Sequence, residues 1–175
     1  MKIGIMSDTH KKAGRAKKAI DLLLNEGAEF ILHAGDIVEE EVLEYLESSC
    51  VRYAAVLGNN DFHLFKVVDE YNLTTEPHYF KLAGKTWKLM HYPKYMFPLD
   101  TDIIIYGHTH DVDITFNGKN LILNPGEVCA RDHGFSSCMI LDIEEEKYTV
   151  TLYYRKVGEK DWKNKVKEFL IPGTK

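Results

Sequence analysis

Apolar runs that end in potential metal ligands recur along this chain, and this recurrence limits the folds that it can adopt. The clearest is Ile103–Ile105, which is followed after one residue by Gly107-His108-Thr109-His110. A β-branched run of this kind is typical of a buried strand, and Gly107 lets the backbone turn sharply where the strand ends. In an extended segment His108 and His110 would point to the same side. We therefore predict that their imidazoles converge on a metal ion.

Four further strand-like runs end in the same way. The side chains that follow them, in chain order, are Asp8 and His10, Asp36, Asn59, and His91. Each of these positions alone fits an ordinary turn or helix cap equally well. Because ligands of α/β proteins bind at the carboxyl ends of parallel strands, we expect these side chains to meet at one edge of a sheet. Their coincidence at five strand ends favours a metal centre.

The order of the predicted elements indicates an α/β fold. The first half alternates three strands with two amphipathic helices, which is typical of βαβ units and a parallel sheet. The second half contains hairpin signals at Ala83-Gly84-Lys85 and at Asn117-Gly118. A four-layer α/β/β/α sandwich of two mixed sheets, with helices on the outer faces, buries these elements most economically.

A chain of 175 residues is long enough for one domain with a sizeable core. We assign residues 1–155 to this domain and residues 156–175 to a charged C-terminal extension. The spacing of four apolar residues in the extension predicts a short amphipathic helix that packs on the domain: Trp162, Val166, Phe169 and Leu170. A contact in a dimer is the less favoured alternative for this helix.

Composition and charge limit the kinds of molecule that this protein is expected to bind and the compartment in which we expect it. A net charge of −5 argues against a protein that coats nucleic acid. No signal pattern precedes the first strand, and no apolar run approaches the roughly 18–20 residues of a membrane span. Three cysteines without ligand-like spacing indicate reduced thiols. We expect a cytoplasmic protein with no membrane partner, and the sequence leaves a homo-oligomer open.

The donor set indicates which metals bind and how many. Four imidazoles, two carboxylates and one amide are too many ligands for one tetrahedral ion. They suit two ions about 3.5–4 Å apart that share a carboxylate. Nitrogen and oxygen donors without a thiolate favour Mn²⁺, our first expectation, and also Ni²⁺, Zn²⁺, Fe or Co²⁺. Such a site attracts phosphate, and a water held between the ions would become a nucleophile.

The motifs Asp-x-His, Gly-Asp, Gly-Asn-x-Asp, His and Gly-His-x-His, in this order, resemble those of the calcineurin-like metallophosphoesterases. The segments Ser7–His10, Gly58–Asp61 and Asn124–Gly126 resemble the small bacterial and archaeal phosphodiesterase branch, to which the metallophosphoesterase-like subunit of retromer is related. The resemblance implies a phosphodiesterase of metallophosphoesterase fold in which a hydroxide between two metal ions attacks a small phosphate ester. It also implies the following ligands: Asp8, His10 and His110 for one ion, Asn59, His91 and His108 for the other, and Asp36 as the bridge.

The sequence departs from the family pattern at two positions. Many members have a histidine after the asparagine ligand, as a proton donor or phosphate contact, and this chain has Asn60. We expect Asp36, Asn60 and His108 to contribute to catalysis, but an amide supplies no proton, which favours substrates with a good leaving group. His63 is the candidate replacement acid, although a surface histidine is the favoured interpretation. Tyr92 stands where the family usually has glycine, beside the second ion.

Two other functions remain as alternatives. The first is a non-catalytic scaffold similar to the retromer subunit, which would bind a partner through an apolar patch at Tyr92 and Tyr95–Phe97. The second is a nuclease, which the acidic balance and the missing histidine disfavour. Lys11 and Lys12 follow the first metal motif, and a solvated helix face is favoured for them over contact with a substrate phosphate.

Overall fold

Strands form at the apolar runs that the sequence indicates, in a computed structural model that describes residues 1–173. The first part contains β1 (Lys2–Met6), α1 (Ala13–Asn25), β2 (Phe30–His33), α2 (Glu40–Ser48), β3 (Arg52–Val56), a 3-10 helix (Phe62–Val67) and β4 (Leu73–Thr74). The second part contains β5 (His78–Leu82), β6 (Lys85–Leu89), a 3-10 turn (Pro93–Tyr95), β7 (Ile103–Ile105), β8 (Val112–Phe116), β9 (Leu121–Pro125), β10 (Phe135–Ile143), β11 (Lys147–Lys156) and β12 (Lys163–Leu170).

The strands form two mixed sheets. The seven-stranded sheet has the order β12-β11-β10-β1-β2-β3-β4, in which β1 to β4 are parallel and β10 to β12 run antiparallel to their neighbours. The five-stranded sheet has the order β5-β6-β7-β9-β8, with β6, β7 and β9 parallel. This arrangement confirms the predicted α/β sandwich of two mixed sheets.

The core consists of three apolar clusters. One lies between the two sheets, and the other two lie on their outer faces. Ile5, Leu32, Trp87 and Ile105 are fully buried in the cluster between the sheets. The helices α1 and α2 cover the outer face of the seven-stranded sheet. On the outer face of the five-stranded sheet, the packing residues lie at and after the Pro93–Tyr95 turn, and they are Tyr95, Met96 and Leu99, so the fourth layer is thin.

The prediction of a helix in the C-terminal extension is wrong, because Lys163–Leu170 forms the edge strand β12 and pairs with β11 along its whole length. Trp162, Val166 and Leu170 are spaced by four residues, which puts side chains on one side of a strand as well as of a helix. The long edge of β11 offers backbone groups that β12 satisfies. Phe169 points to the other face and packs on Phe116, with ring centroids 5.5 Å apart.

The parallel strands of both sheets end on the same side of the molecule. The loops that follow β1, β2, β3, β6 and β7 begin there. No helix within residues 1–173 has the length and apolar character needed to span a lipid bilayer.

Candidate metal centre

All seven predicted ligands meet where these strands end. Asp8 and His10 follow β1, Asp36 follows β2 and Asn59 follows β3. The five-stranded sheet contributes the other three, which are His91 after β6 and His108 and His110 after β7. The predicted convergence is therefore present in the structure. Six of the seven side chains divide into two groups of three, and the seventh, Asp36, lies between them.

The first group, here named the Asp8 trio, consists of Asp8, His10 and His110. His110 Nε2 lies 3.2 Å from Asp8 Oδ1 and 3.4 Å from His10 Nε2. The third side, from His10 Nε2 to Asp8 Oδ1, is 3.8 Å. Asp8 and His110 are buried, and His10 is half-buried. The trio offers one carboxylate and two imidazoles.

The second group, here named the Asn59 trio, consists of Asn59, His91 and His108. Asn59 Oδ1 lies 3.0 Å from His91 Nε2 and 3.1 Å from His108 Nδ1. The two ring nitrogens are 3.3 Å apart. His91 is buried, His108 is half-buried and Asn59 is exposed. The trio offers an amide oxygen and two imidazoles.

Asp36 lies between the two trios. Its Oδ2 is 3.6 Å from His10 Nε2 and 3.5 Å from His91 Nε2. The carboxylate thus reaches one member of each trio, which is the position that a bridging ligand requires.

The donor spacing fits metal ions. Ligands about 2.1 Å from one ion lie about 3.0–3.4 Å from one another in octahedral or tetrahedral geometry, and most of the distances within each trio fall in or near this range. Asp8 Oδ1 is buried and forms no hydrogen bond among the described residues. A buried carboxylate oxygen without a hydrogen bond is costly, and a cation at the Asp8 trio would satisfy it.

The backbone at the centre is not extended as predicted. His108 and His110 have φ values of 69° and 63°, in the left-handed region that L residues rarely adopt. The same holds for three other ligands: Asp8, His10 and Asp36. The turns direct His108 to the Asn59 trio and His110 to the Asp8 trio. Strained backbone of this kind is concentrated at functional sites.

Two glycines permit the close approach of these loops. A Cβ atom at Gly107 would collide with Ser7 Oγ and lie 2.9 Å from Asp8 Oδ2. A Cβ atom at Gly58 would collide with the carboxylate of Asp36. Gly107 is therefore needed for packing against the loop after β1, in addition to the turn that the sequence indicates.

Electrostatic interactions favour the metal-binding forms of Asp36, His10 and His108. The carboxylates around His91 and His110 instead raise the pKa values of these two imidazoles. Burial raises the pKa of Asp36, but His91 and Asn60 lower it by more, so this pKa lies well below its usual range. Burial lowers the pKa values of His10 and His108. The pKa of His91 is lowered by burial but raised by Asp36 and Asp8, to about 8. Ionised carboxylates and neutral imidazoles are the forms that bind metals.

Groups behind the ligands fix their orientation. His91 Nδ1 lies 2.9 Å from the carbonyl oxygen of Ala34, which leaves Nε2 as the atom that faces the trio. Asp8 Oδ2 accepts hydrogen bonds from Ser7 Oγ at 2.6 Å and from the His108 amide at 3.1 Å.

The buried carboxylate of Glu127 was not among the residues predicted from the sequence. Its Oε2 lies 3.0 Å from His110 Nδ1, on the side of the ring away from the trio. The two oxygens of this carboxylate also accept hydrogen bonds from the amides of Arg131, Asp132 and His133, and from the thiol of Cys129. A Glu directly after Asn124-Pro125-Gly126 was the only sequence signal, and it indicated a turn.

The other candidate residues have distinct positions. Asn60 donates to Asp36 from its amide side chain at 2.7 Å and from its backbone at 2.9 Å. His63 is exposed, with Nε2 2.6 Å from the carbonyl oxygen of Val38. The Tyr92 ring lies beside the second trio, 4.3 Å from the His108 ring centroid. A further histidine, His33, ends β2 behind the centre; it is buried, and its Nε2 lies 3.1 Å from Thr9 Oγ1.

Two trios about a shared carboxylate, at one edge of two packed mixed sheets, form a site that could hold two metal ions. The chain belongs to the calcineurin-like phosphoesterase superfamily, whose domain profile matches residues 1–146. The family and the donor clusters together make this protein a hydrolase with a divalent-metal site.

Related proteins match along nearly the whole chain. A phosphodiesterase of Methanocaldococcus jannaschii is 31% identical over 161 residues, which are 85% of this chain and 96% of that protein. The structure of an archaeal phosphodiesterase, 28% identical, superposes with a TM-score of 0.73 and covers 95% of this chain and 99% of that one. Vacuolar protein sorting 29 of Cryptosporidium parvum is 21% identical and shares the fold, with a TM-score of 0.78 and 97% of each chain covered.

Proposed function

We propose that this protein is a phosphodiesterase that hydrolyses small phosphate esters with two divalent ions, Mn²⁺ by preference, held by the two trios and Asp36. The observation that supports the proposal most strongly is the pair of complete trios on either side of one carboxylate. Ions held there would polarise the phosphoryl oxygens and bring the pKa of a water between them toward neutrality.

The donor set supports the choice of metal. The two trios and Asp36 present imidazole, carboxylate and amide groups, and no thiolate. The nearest thiol, that of Cys129, donates a hydrogen bond to Glu127, and burial raises its pKa to about 12. Nitrogen and oxygen ligands of this kind suit Mn²⁺, with Ni²⁺, Zn²⁺, Fe and Co²⁺ as the other candidates.

The roles of the chain's own residues follow from their contacts. Asp36 joins the two trios and is held in place by both hydrogen bonds from Asn60, so Asn60 acts as a positioning residue. His108 completes the Asn59 trio through its Nδ1 atom. We retain contact of Asn60 with a substrate phosphate as a prediction, since its side-chain nitrogen has a second hydrogen.

The absence of a histidine after Asn59 supports a substrate with a good leaving group. Asn60 has no proton to give to a leaving group, and the Nε2 atom of His63 already has a backbone carbonyl as its partner. Esters whose leaving group departs without protonation are therefore favoured. The choice of a diester over a monoester is supported by the name of the M. jannaschii relative, a phosphodiesterase.

The structure gives little support to the scaffold alternative. Of the predicted docking patch, Tyr95 and Met96 pack on the protein's own five-stranded sheet. Tyr92 packs against the His108 ring, and Phe97 remains, with 75% of its surface exposed. A scaffold would also have no need for seven converging metal ligands.

Turnover after chelation tests the proposal. The chelated protein is supplied with single metals and assayed with bis(p-nitrophenyl) phosphate and with p-nitrophenyl phosphate. We expect Mn²⁺ or Ni²⁺ to restore hydrolysis, with a higher kcat/KM for the diester. His108→Ala should abolish this activity.

His78→Ala provides the matched control, because His78 lies on β5 and stacks on Phe80 away from the centre. This variant should retain activity with both substrates. Failure of every metal to support turnover, together with a stable complex between the protein and a partner, would favour the scaffold.

A further inference from the structure

A cavity of about 870 Å³ opens beside the Asp8 trio. His10 and Asn60 form the side that adjoins the metal centre. The segment leading into α1 and the loop after β9 form two of the other walls. The volume lies within the range of about 300–1,000 Å³ that holds small-molecule ligands. A substrate whose phosphate lies at the metal centre would extend one of its substituents into this space.

The cavity is strongly basic, although the whole chain has a net charge of −5. Its lining contains one carboxylate, that of Glu39, and four cationic side chains: Lys11, Lys12, Arg15 and Arg131. Lys11 and Lys12 are exposed and form no ion pair with any residue in the described part of the chain. An excess of cations in a concave site attracts anions.

The two arginines are held in place. Arg15 donates from Nη1 to the carbonyl oxygen of Cys129, which ties α1 to the loop after β9. Arg131 donates from Nε to Asp132 at 3.1 Å, and its Nη2 lies 3.4 Å from His110 Nε2. Arg131 therefore marks the boundary between the metal centre and the cavity.

We propose that this cavity binds a second phosphate group of the substrate, separate from the phosphate that is cleaved. The inference rests on the proposed function and narrows its substrate class to small phosphodiesters that also bear a phosphate monoester. Guanidinium and ammonium groups form charge-assisted hydrogen bonds with the oxygens of such a group. The proposal assigns to Lys11 and Lys12 the phosphate contact that the sequence disfavoured, because the cavity places these exposed lysines with two arginines beside His10.

Two chromogenic substrates with the same scissile bond test this inference. One is thymidine 5′-(p-nitrophenyl phosphate), and the other carries an additional 3′-phosphate. The Mn²⁺-loaded protein should hydrolyse the 3′-phosphorylated substrate with a kcat/KM about tenfold higher, as expected for a few partly exposed ion pairs. The double variant Lys11→Ala/Lys12→Ala should lose most of this ratio.

The control is Lys18→Ala/Lys119→Ala, which removes the same charge from two exposed lysines outside the cavity lining. It should keep the wild-type ratio. A second readout is calorimetric binding of thymidine 5′-phosphate and thymidine 3′,5′-bisphosphate to the Mn²⁺-loaded protein. The bisphosphate should bind about tenfold more tightly to wild type and to the control, but not to the cavity variant.

The outcomes separate the two proposals. Hydrolysis of both substrates at equal rates, or an equal loss of activity on both in the cavity variant, would overturn the second-phosphate site and leave the phosphodiesterase intact. Failure of wild type to hydrolyse either substrate would overturn the proposed function and this inference with it.

Discussion

The two trios of the metal centre differ in charge and in exposure. The Asp8 trio contains a buried carboxylate, and the carboxylate of Glu127 lies behind His110. The Asn59 trio replaces the carboxylate with a neutral amide, and Asn59 itself is exposed. Both share Asp36. Since the attraction of a divalent cation grows with the number of nearby carboxylates and falls with solvent exposure, the Asp8 trio should bind its ion more tightly.

The largest effect is expected from the residue that the trios share. Asp36→Asn removes the charge between them and should lower kcat by about 10³-fold or more, since the ions contribute several kcal/mol to transition-state stabilisation. Steady-state turnover of the diester measures the loss, and circular dichroism checks that the variant is folded. Activity within tenfold of wild type would rule out a bridging role.

The unequal charge of the trios is tested by removing one ligand from each. His108→Ala should leave one tightly bound ion, because the Asp8 trio is intact, whereas Asp8→Ala should leave only weak binding. We expect the affinities of the remaining ions to differ by at least about tenfold. Mn²⁺ titration followed by electron paramagnetic resonance measures both. Equal affinities in the two variants would contradict the comparison.

A smaller change is expected at the group behind the Asp8 trio. Glu127→Gln removes the charge next to His110 Nδ1 and should weaken the tight ion by about 10- to 100-fold. The weak ion should be unaffected, because Glu127 contacts no member of the Asn59 trio. The same titration tests this prediction. If both ions weakened together, Glu127 would act on the fold rather than on one trio.

The smallest effect concerns His33, which lies at the end of β2 and belongs to neither trio. Burial lowers the pKa of this histidine from 6.5 to about 4. The unfolded chain therefore takes up the proton first as the pH falls, and stability that is present above pH 6.5 is lost toward pH 4.

Urea unfolding of the metal-free protein measures this loss. From this residue we expect a decrease of about 1 kcal/mol between about pH 7 and pH 5.5. His33→Gln should remove that part of the decrease and, unlike the ligand variants, should still bind two ions. A pH dependence that is identical in wild type and His33→Gln would refute the assignment.

The positions of the ligands could be predicted from the sequence because strand ends are local signals. An apolar run followed by a donor residue, as at Asp36 or His91, identifies both the strand and the side chain at its end. The left-handed turns at these positions could not be predicted, since they depend on contacts between loops of different strands. Gly107 is an example. A side chain at this position would meet Ser7 and Asp8, which lie about a hundred residues earlier in the chain.

Other features depended on long-range contacts in the same way. Glu127 gave no ligand-like signal, because its partners on the loop after β9 and on His110 come together only in the fold. The four-residue spacing of Val166 and Leu170 fits a helix and a strand equally. The segment forms a strand because it pairs with the backbone groups along the edge of β11. The four cations of the cavity come from two separate segments.

Anomalous scattering from a crystal of the protein grown with Mn²⁺ tests the central claim most directly. The account predicts two peaks about 3.5–4 Å apart, one within each trio, with Asp36 between them. A single peak, or peaks away from these seven side chains, would contradict it.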